Sequence, residues 1–128
     1  MQEPKWFPED AAVLLHDYLL ELFGGAAGIR DEGGLASALE RPKNLFAYSE
    51  ASMFKLATAY ASGIIRNHPF VDGNKRTGLA IALTFLEENG YQFQAAEAEA
   101  TTMTLALAAS EIDEATFADW LEANCQAS

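Results

Sequence analysis

The chain has 128 residues, half of them hydrophobic, a formal net charge of −11 and one cysteine. That length and apolar content suit one domain with a core that needs no covalent staple, and the acid excess argues against a protein that holds DNA or RNA by its phosphates. Cys125 has no partner within the chain, the first ten residues hold no apolar run, and no segment approaches the roughly 20 apolar residues of a membrane span, so a soluble, unsecreted, cytoplasmic protein is expected.

In chain order, Ala12, Leu15, Leu19, Leu22 and Phe23 recur at helical spacing between Pro8-Glu9-Asp10 and Gly24-Gly25, which predicts a first helix. Gly24 to Gly34 reads as a loop. Leu35, Ala38 and Leu39 predict a short second helix ended near Arg41 by Pro42, with Asp31 and Arg30 read as its cap, and Lys43 to Tyr48 reads as irregular or extended. From Ala51 to Asn67 the chain is apolar almost all round, the pattern of a buried helix. Another such helix runs from about Asn74 to Asn89, with Gly90 as its left-handed cap. Ala98 to Ala109 is alanine-rich and helical, and Asp113 is the expected N-cap of a last helix bearing Phe117, Trp120 and Leu121. The predicted class is all-α, one domain of about six helices over residues 1–128.

Between the two buried helices lies His68-Pro69-Phe70-Val71-Asp72-Gly73-Asn74-Lys75-Arg76, which puts a base, a carboxylate, an amide and two cations into nine residues. Packing alone does not call for these types. Gly73 lets the backbone turn closely into the helix that follows, whose first N–H groups and positive dipole end form an anion site. Lys75 and Arg76 add full positive charge to its first turn, where cations oppose the helix dipole unless a phosphate sits there. Asp72 supplies the hard oxygen ligand that Mg²⁺ takes from proteins, with phosphate and water completing the shell. His68 brings an imidazole, the side chain suited to general base work near neutrality. Phe70 reads as a packed anchor for the loop. The other histidine, His16, reads as a surface or packing residue on the first helix, without a partner that suggests chemistry. Two scattered histidines and one cysteine do not make a zinc site.

The run from His68 to Arg76 matches HxFx[DE]GNxR without a gap and resembles the signature of the Fic/Doc family. Gly24-Gly25, Gly28-Ile29-Arg30-Asp31, Leu39-Glu40-Arg41-Pro42 and Phe85 to Gly90 resemble the flanking pattern of its death-on-curing branch, so the similarity covers roughly residues 7–122. The resemblance implies a helical fold with a short flap, and transfer of a phosphate-containing group from a nucleotide to a hydroxyl of a target protein. It casts His68 as base, Asp72 as the Mg²⁺ ligand, and Gly73, Asn74, Lys75 and Arg76 as the phosphate cradle, with ATP as co-substrate. It places the flap at Lys43 to Tyr48.

Adenylyltransferases of the family have a second glycine where this chain has Lys75 and a second arginine where it has Leu79, so the resemblance points to the Doc-like branch, which moves the γ-phosphate. The implied partners are a bacterial target such as elongation factor Tu, in a block of translation, and an antitoxin helix lying in a surface groove of the toxin. AMP transfer, and a catalytically silent binding module that keeps the fold, stay open as rivals. Thr84 to Asn89 formally fits the family's inhibitory pattern [ST]xxxE[GN], but it falls inside the helix that follows the motif, so we reject that reading.

Overall fold

The computed structural model describes residues 2–128. Six helices follow in order: α1 (Glu9–Phe23), α2 (Glu32–Tyr48), α3 (Met53–Asn67), α4 (Asn74–Glu88), α5 (Glu97–Ala108) and α6 (Glu114–Ala123). Two three-residue strands, β1 (Tyr91–Phe93) and β2 (Cys125–Ala127), pair antiparallel with Tyr91 opposite Ala127 and Phe93 opposite Cys125. The fold is the expected all-α one; the strands are an addition to it, because three residues are too few for an alternating pattern to register. Among the described residues no helix is long and apolar enough to cross a membrane.

Helix α3 is the centre of the core. Leu56, Ala57, Ala59, Tyr60, Ala61 and Ile64 are completely buried along it, as an all-round apolar pattern requires. Small residues let its neighbours come close. A side chain added at Gly63 would meet the Ala38 Cα at 3.2 Å, and one at Gly78 would meet the Ala61 carbonyl at 3.0 Å. Glycine at these two points therefore sets how near α2 and α4 lie to α3, and hence how tightly the loop between α3 and α4 is held. Aromatic rings fill the rest: Phe85 packs between Trp6 and Tyr60, with ring centroids 6.1 and 5.1 Å away. The Tyr60 hydroxyl accepts from the Phe7 N–H at 2.9 Å, and burial pushes its pKa up to about 12.

The second helix corrects the expected break at Pro42. It continues to Tyr48, with Pro42 inside it and buried. Leu35, Ala38, Leu39, Pro42, Leu45 and Phe46 all lie on its core-facing side, so the helical period runs through the proline. A proline inside a helix costs about 3 kcal/mol, whereas burying Leu45 and Phe46 even in part recovers a comparable amount. Lys43 to Tyr48 is therefore helical and cannot be a flap. The extended stretch lies instead between α1 and α2, where Ile29 bridges Phe70.

Candidate active site

The loop from His68 to Gly73 is a link between two helix ends. Helix α3 stops at His68, which takes the left-handed conformation at φ 49° and donates its N–H to the Ile64 carbonyl. Helix α4 begins at Gly73, also left-handed at φ 79°, and no side chain caps its first turn. Glycine meets that second torsion without a Cβ penalty. The first N–H groups of α4 are thus left to an outside acceptor.

Side chains and backbone from α4, from α1 and from the stretch before α2 hold this loop. Asn74 is buried, and its side chain bonds both faces of Phe70: Oδ1 accepts from the Phe70 N–H at 3.0 Å and Nδ2 donates to its carbonyl at 2.9 Å. Its amide is therefore used inside the loop, and only its backbone is left for an anion. The extended stretch runs alongside, with Val71 N–H donating to Gly28 and Arg30 N–H to Pro69. The Arg30 side chain caps α3, since Nε donates to the His68 carbonyl at 2.8 Å and Nη2 to Asn67 at 3.1 Å. Asp31 caps α2 as expected, accepting from Gly34 N–H at 2.8 Å, so the two residues serve different helices.

His16, read from the sequence as a surface or packing residue, is a packing one, and the sequence did not point to the loop it packs on. It is 1% exposed, its ring lies flat on Phe70 with centroids 3.8 Å apart, and Nε2 is 2.8 Å from the Asp72 carbonyl. A carbonyl only accepts, so Nε2 carries the hydrogen. The available signal was its position one helical turn after the fully buried Ala12, a polar residue on the core face of α1.

The Asp72 carboxylate accepts from Ala26 N–H at 3.2 Å and Gly73 N–H at 2.9 Å. The Ala26 bond first, then the Gly73 bond, with a smaller contribution from the Arg76 cation, holds its carboxyl below the ordinary value of 3.8. A lowered value means the stabilisation it gives the loop is present above the unfolded pKa and is lost only as the pH falls below it, so the group is ionised at neutrality. Gly25 makes room for it: a Cβ there would stand 2.8 Å from Asp72 Oδ2. Each carboxylate oxygen takes one N–H, which leaves acceptor capacity on both. This fits Mg²⁺, which uses one or two carboxylates and draws its other ligands from phosphate and water. Among the described residues no cluster of three or more metal-binding side chains occurs, so an ion held by Asp72 would take most of its ligands from phosphate and water.

His68, Asp72, Gly73, Asn74, Lys75 and Arg76 line one open cleft of about 230 Å³ together with Ile65. All six residues singled out in the sequence are thus brought together. Neither Lys75 nor Arg76 forms a salt bridge among the described residues, and the Arg76 guanidinium lies 4.5 Å over the Phe23 ring. Two unpaired cations on an uncapped helix start make a site for a multiply charged anion. A second, larger cavity of about 570 Å³ adjoins the cleft through the same Lys75 and Arg76. The walls of this groove are mostly apolar, from Phe23, Leu79, Leu83, Phe93 and Leu105, with Glu97, Thr101 and Thr104 among them.

Comparison with known proteins gives the family. The model of the Fic/DOC family matches residues 6–86. "Protein kinase doc" of Escherichia phage P1 is 35% identical over 115 residues, covering 89% of this chain and 90% of its own length. "Toxin Doc" of Mycolicibacterium smegmatis is 43% identical over 75 residues, covering 57% of this chain and 58% of its own.

Proposed function

This chain belongs to the Fic/DOC family, and we propose that it is a Doc-like toxin that transfers the γ-phosphate of ATP to a serine or threonine hydroxyl of a bacterial protein. The observation that carries the reading is the single cleft in which a histidine, an ionised carboxylate, an uncapped helix start and two unpaired cations meet. Phosphoryl transfer asks a protein mainly for positioning and for charge stabilisation, and these groups supply both.

In this reading the target hydroxyl oxygen attacks the γ-phosphorus while its proton passes to the His68 imidazole. The bond from the γ-phosphorus to the β–γ bridging oxygen breaks, and ADP leaves. The N–H groups at the start of α4, with Lys75 and Arg76, hold the phosphates. Mg²⁺ held by Asp72 would supply neutralisation of phosphate charge. Leu79 supports γ-transfer over AMP transfer, because it is a wall of the apolar groove and offers the nucleotide no third cation along α4. The target is a translation factor such as elongation factor Tu. The discriminating experiment is incubation with γ-labelled and α-labelled ATP in a bacterial lysate. Label on protein from the γ position alone, with ADP released, is the expected result; pyrophosphate release with AMP left on the target overturns it.

The groove is the seat of the antitoxin helix. It is mostly apolar along its walls, with Glu97 the one acidic lining residue, and it includes Lys75 and Arg76, so an amphipathic helix that brings a carboxylate to those two side chains would cover the cations. Leu105, half exposed on α5, is on this surface and outside the cleft. Leu105→Arg should weaken antitoxin binding at least about 10-fold, the lower bound for removing one leucine from a buried contact, and leave transfer unchanged. Wild-type antitoxin affinity for this variant would place the partner elsewhere.

A further inference from the structure

We infer that His16 is a positioning residue of this reaction, which sets the peptide between Asp72 and Gly73 through its Nε2–H. The inference rests on the phosphotransfer reading for its kinetic consequence, but not for its structural one.

His16 packs on Phe70, bonds Asp72 and lies beside Gly73. Its ring stacks on Phe70 at an interplanar angle of 7°, its Nε2–H donates to the Asp72 carbonyl at 2.8 Å, and Nε2 lies 3.7 Å from where a Cβ on Gly73 would stand. A trans peptide is planar, with its C=O and N–H pointing opposite ways. Fixing the Asp72 carbonyl toward α1 therefore turns the Gly73 N–H the other way, where it meets Asp72 Oδ1 at 2.9 Å. One bond from a buried ring thus orients both the carboxylate and the first peptide of the uncapped α4 start. A purely packing residue at this position would be an apolar ring. The histidine differs from one by a single donor, and that donor is spent on the loop. The other contact of the ring, Nδ1 to Asp17 Oδ1 at 3.7 Å, is too long to be a hydrogen bond and does not compete for the role.

The test compares His16→Phe, which keeps the stacked ring and loses the donor, with His16→Gln, which returns an N–H to about the Nε2 position. Three quantities are measured: the kcat and KM for ATP, the exchange rate of the Gly73 amide proton by NMR, and the melting temperature as a control for folding. His16→Phe should lower kcat by roughly 10- to 100-fold, on the scale of leaving a partly buried acceptor unpaired. Its KM should change by less than about threefold, because Lys75 and Arg76 are untouched, and Gly73 exchange should quicken. His16→Gln should recover most of the kcat and of the exchange protection. The inference is overturned if the phenylalanine variant matches wild type in kcat and Gly73 exchange, or if glutamine falls as far as phenylalanine. Should the phenylalanine variant fail to fold, glutamine decides: loss of Gly73 protection in it overturns the inference and retention supports it. Wild-type protein that transfers no γ-phosphate removes the proposed reaction, and Gly73 exchange alone then decides whether His16 sets this peptide.

Discussion

Alanine at position 68 should lower phosphate transfer by roughly 10²- to 10⁴-fold, the range associated with losing a general base, while the fold survives. The two halves of this expectation come from different atoms of one residue. His68 holds α3 through its backbone: its N–H donates to Ile64 and its carbonyl accepts from Arg30 Nε, and alanine keeps both groups. Its side chain is exposed on the cleft and contributes nothing to the core. Alanine must adopt the same left-handed torsion, a strain that histidine already bears, so the change in stability should stay within about 1 kcal/mol. Labelled transfer and thermal unfolding check the two halves separately. Turnover within threefold of wild type, in a protein that melts as wild type does, would take the imidazole out of the mechanism. His68→Gln sharpens the test, because an amide keeps a hydrogen-bonding side chain there but cannot accept the proton at neutral pH.

The nine-residue motif from His68 to Arg76 is legible in the sequence because each of its roles needs a particular residue type close by in the chain. Gly73 is required by a left-handed turn into a helix, and Lys75 and Arg76 stand out because cations are unfavourable at a helix start. The buried helices are legible for a related reason, since an apolar run that goes all the way round a helix must be covered on every side. What escapes a sequence reading are the parts fixed by partners distant in the chain. His16 lies 56 residues from the carbonyl it holds, and the one local signal, its place a helical turn after Ala12, does not name that partner. Arg30 reads as a cap for the neighbouring α2, whereas it caps α3, 37 and 38 residues away. Pro42 misleads because the local rule that proline breaks helices competes with the apolar period on either side of it, Leu35 to Phe46, and the period carries the stronger signal. A break at Pro42 would also leave Lys43 to Tyr48 free to serve as the flap, and the same period removes that possibility.

Replacing Asp72 with asparagine should abolish most of the gain in ATP affinity that Mg²⁺ brings, and with it transfer. The carboxylate is exposed to the cleft and ionised at neutral pH, held so by the N–H groups of Ala26 and Gly73. An amide keeps the outline and one acceptor but removes the charge, and its NH₂ must face one of those two N–H donors. Disruption of residues that merely support a metal ligand costs about 10- to 100-fold in metal affinity, so loss of a direct carboxylate ligand should cost at least the upper end, about 100-fold. Lost charge and a disturbed loop have separable signatures. ATP without Mg²⁺ reads the cradle at the start of α4 alone, where Lys75 and Arg76 remain, and should bind the variant as well as wild type or better, since a negative charge near the phosphates has gone. ATP with Mg²⁺ reads the carboxylate. Calorimetric titration under both conditions, on both proteins, gives the four affinities required. An equal gain from Mg²⁺ in the two proteins would remove Asp72 as the ligand, whereas an equal loss of affinity with and without Mg²⁺ would mean that Asp72 serves the loop through Ala26 and Gly73 and does not bind the ion.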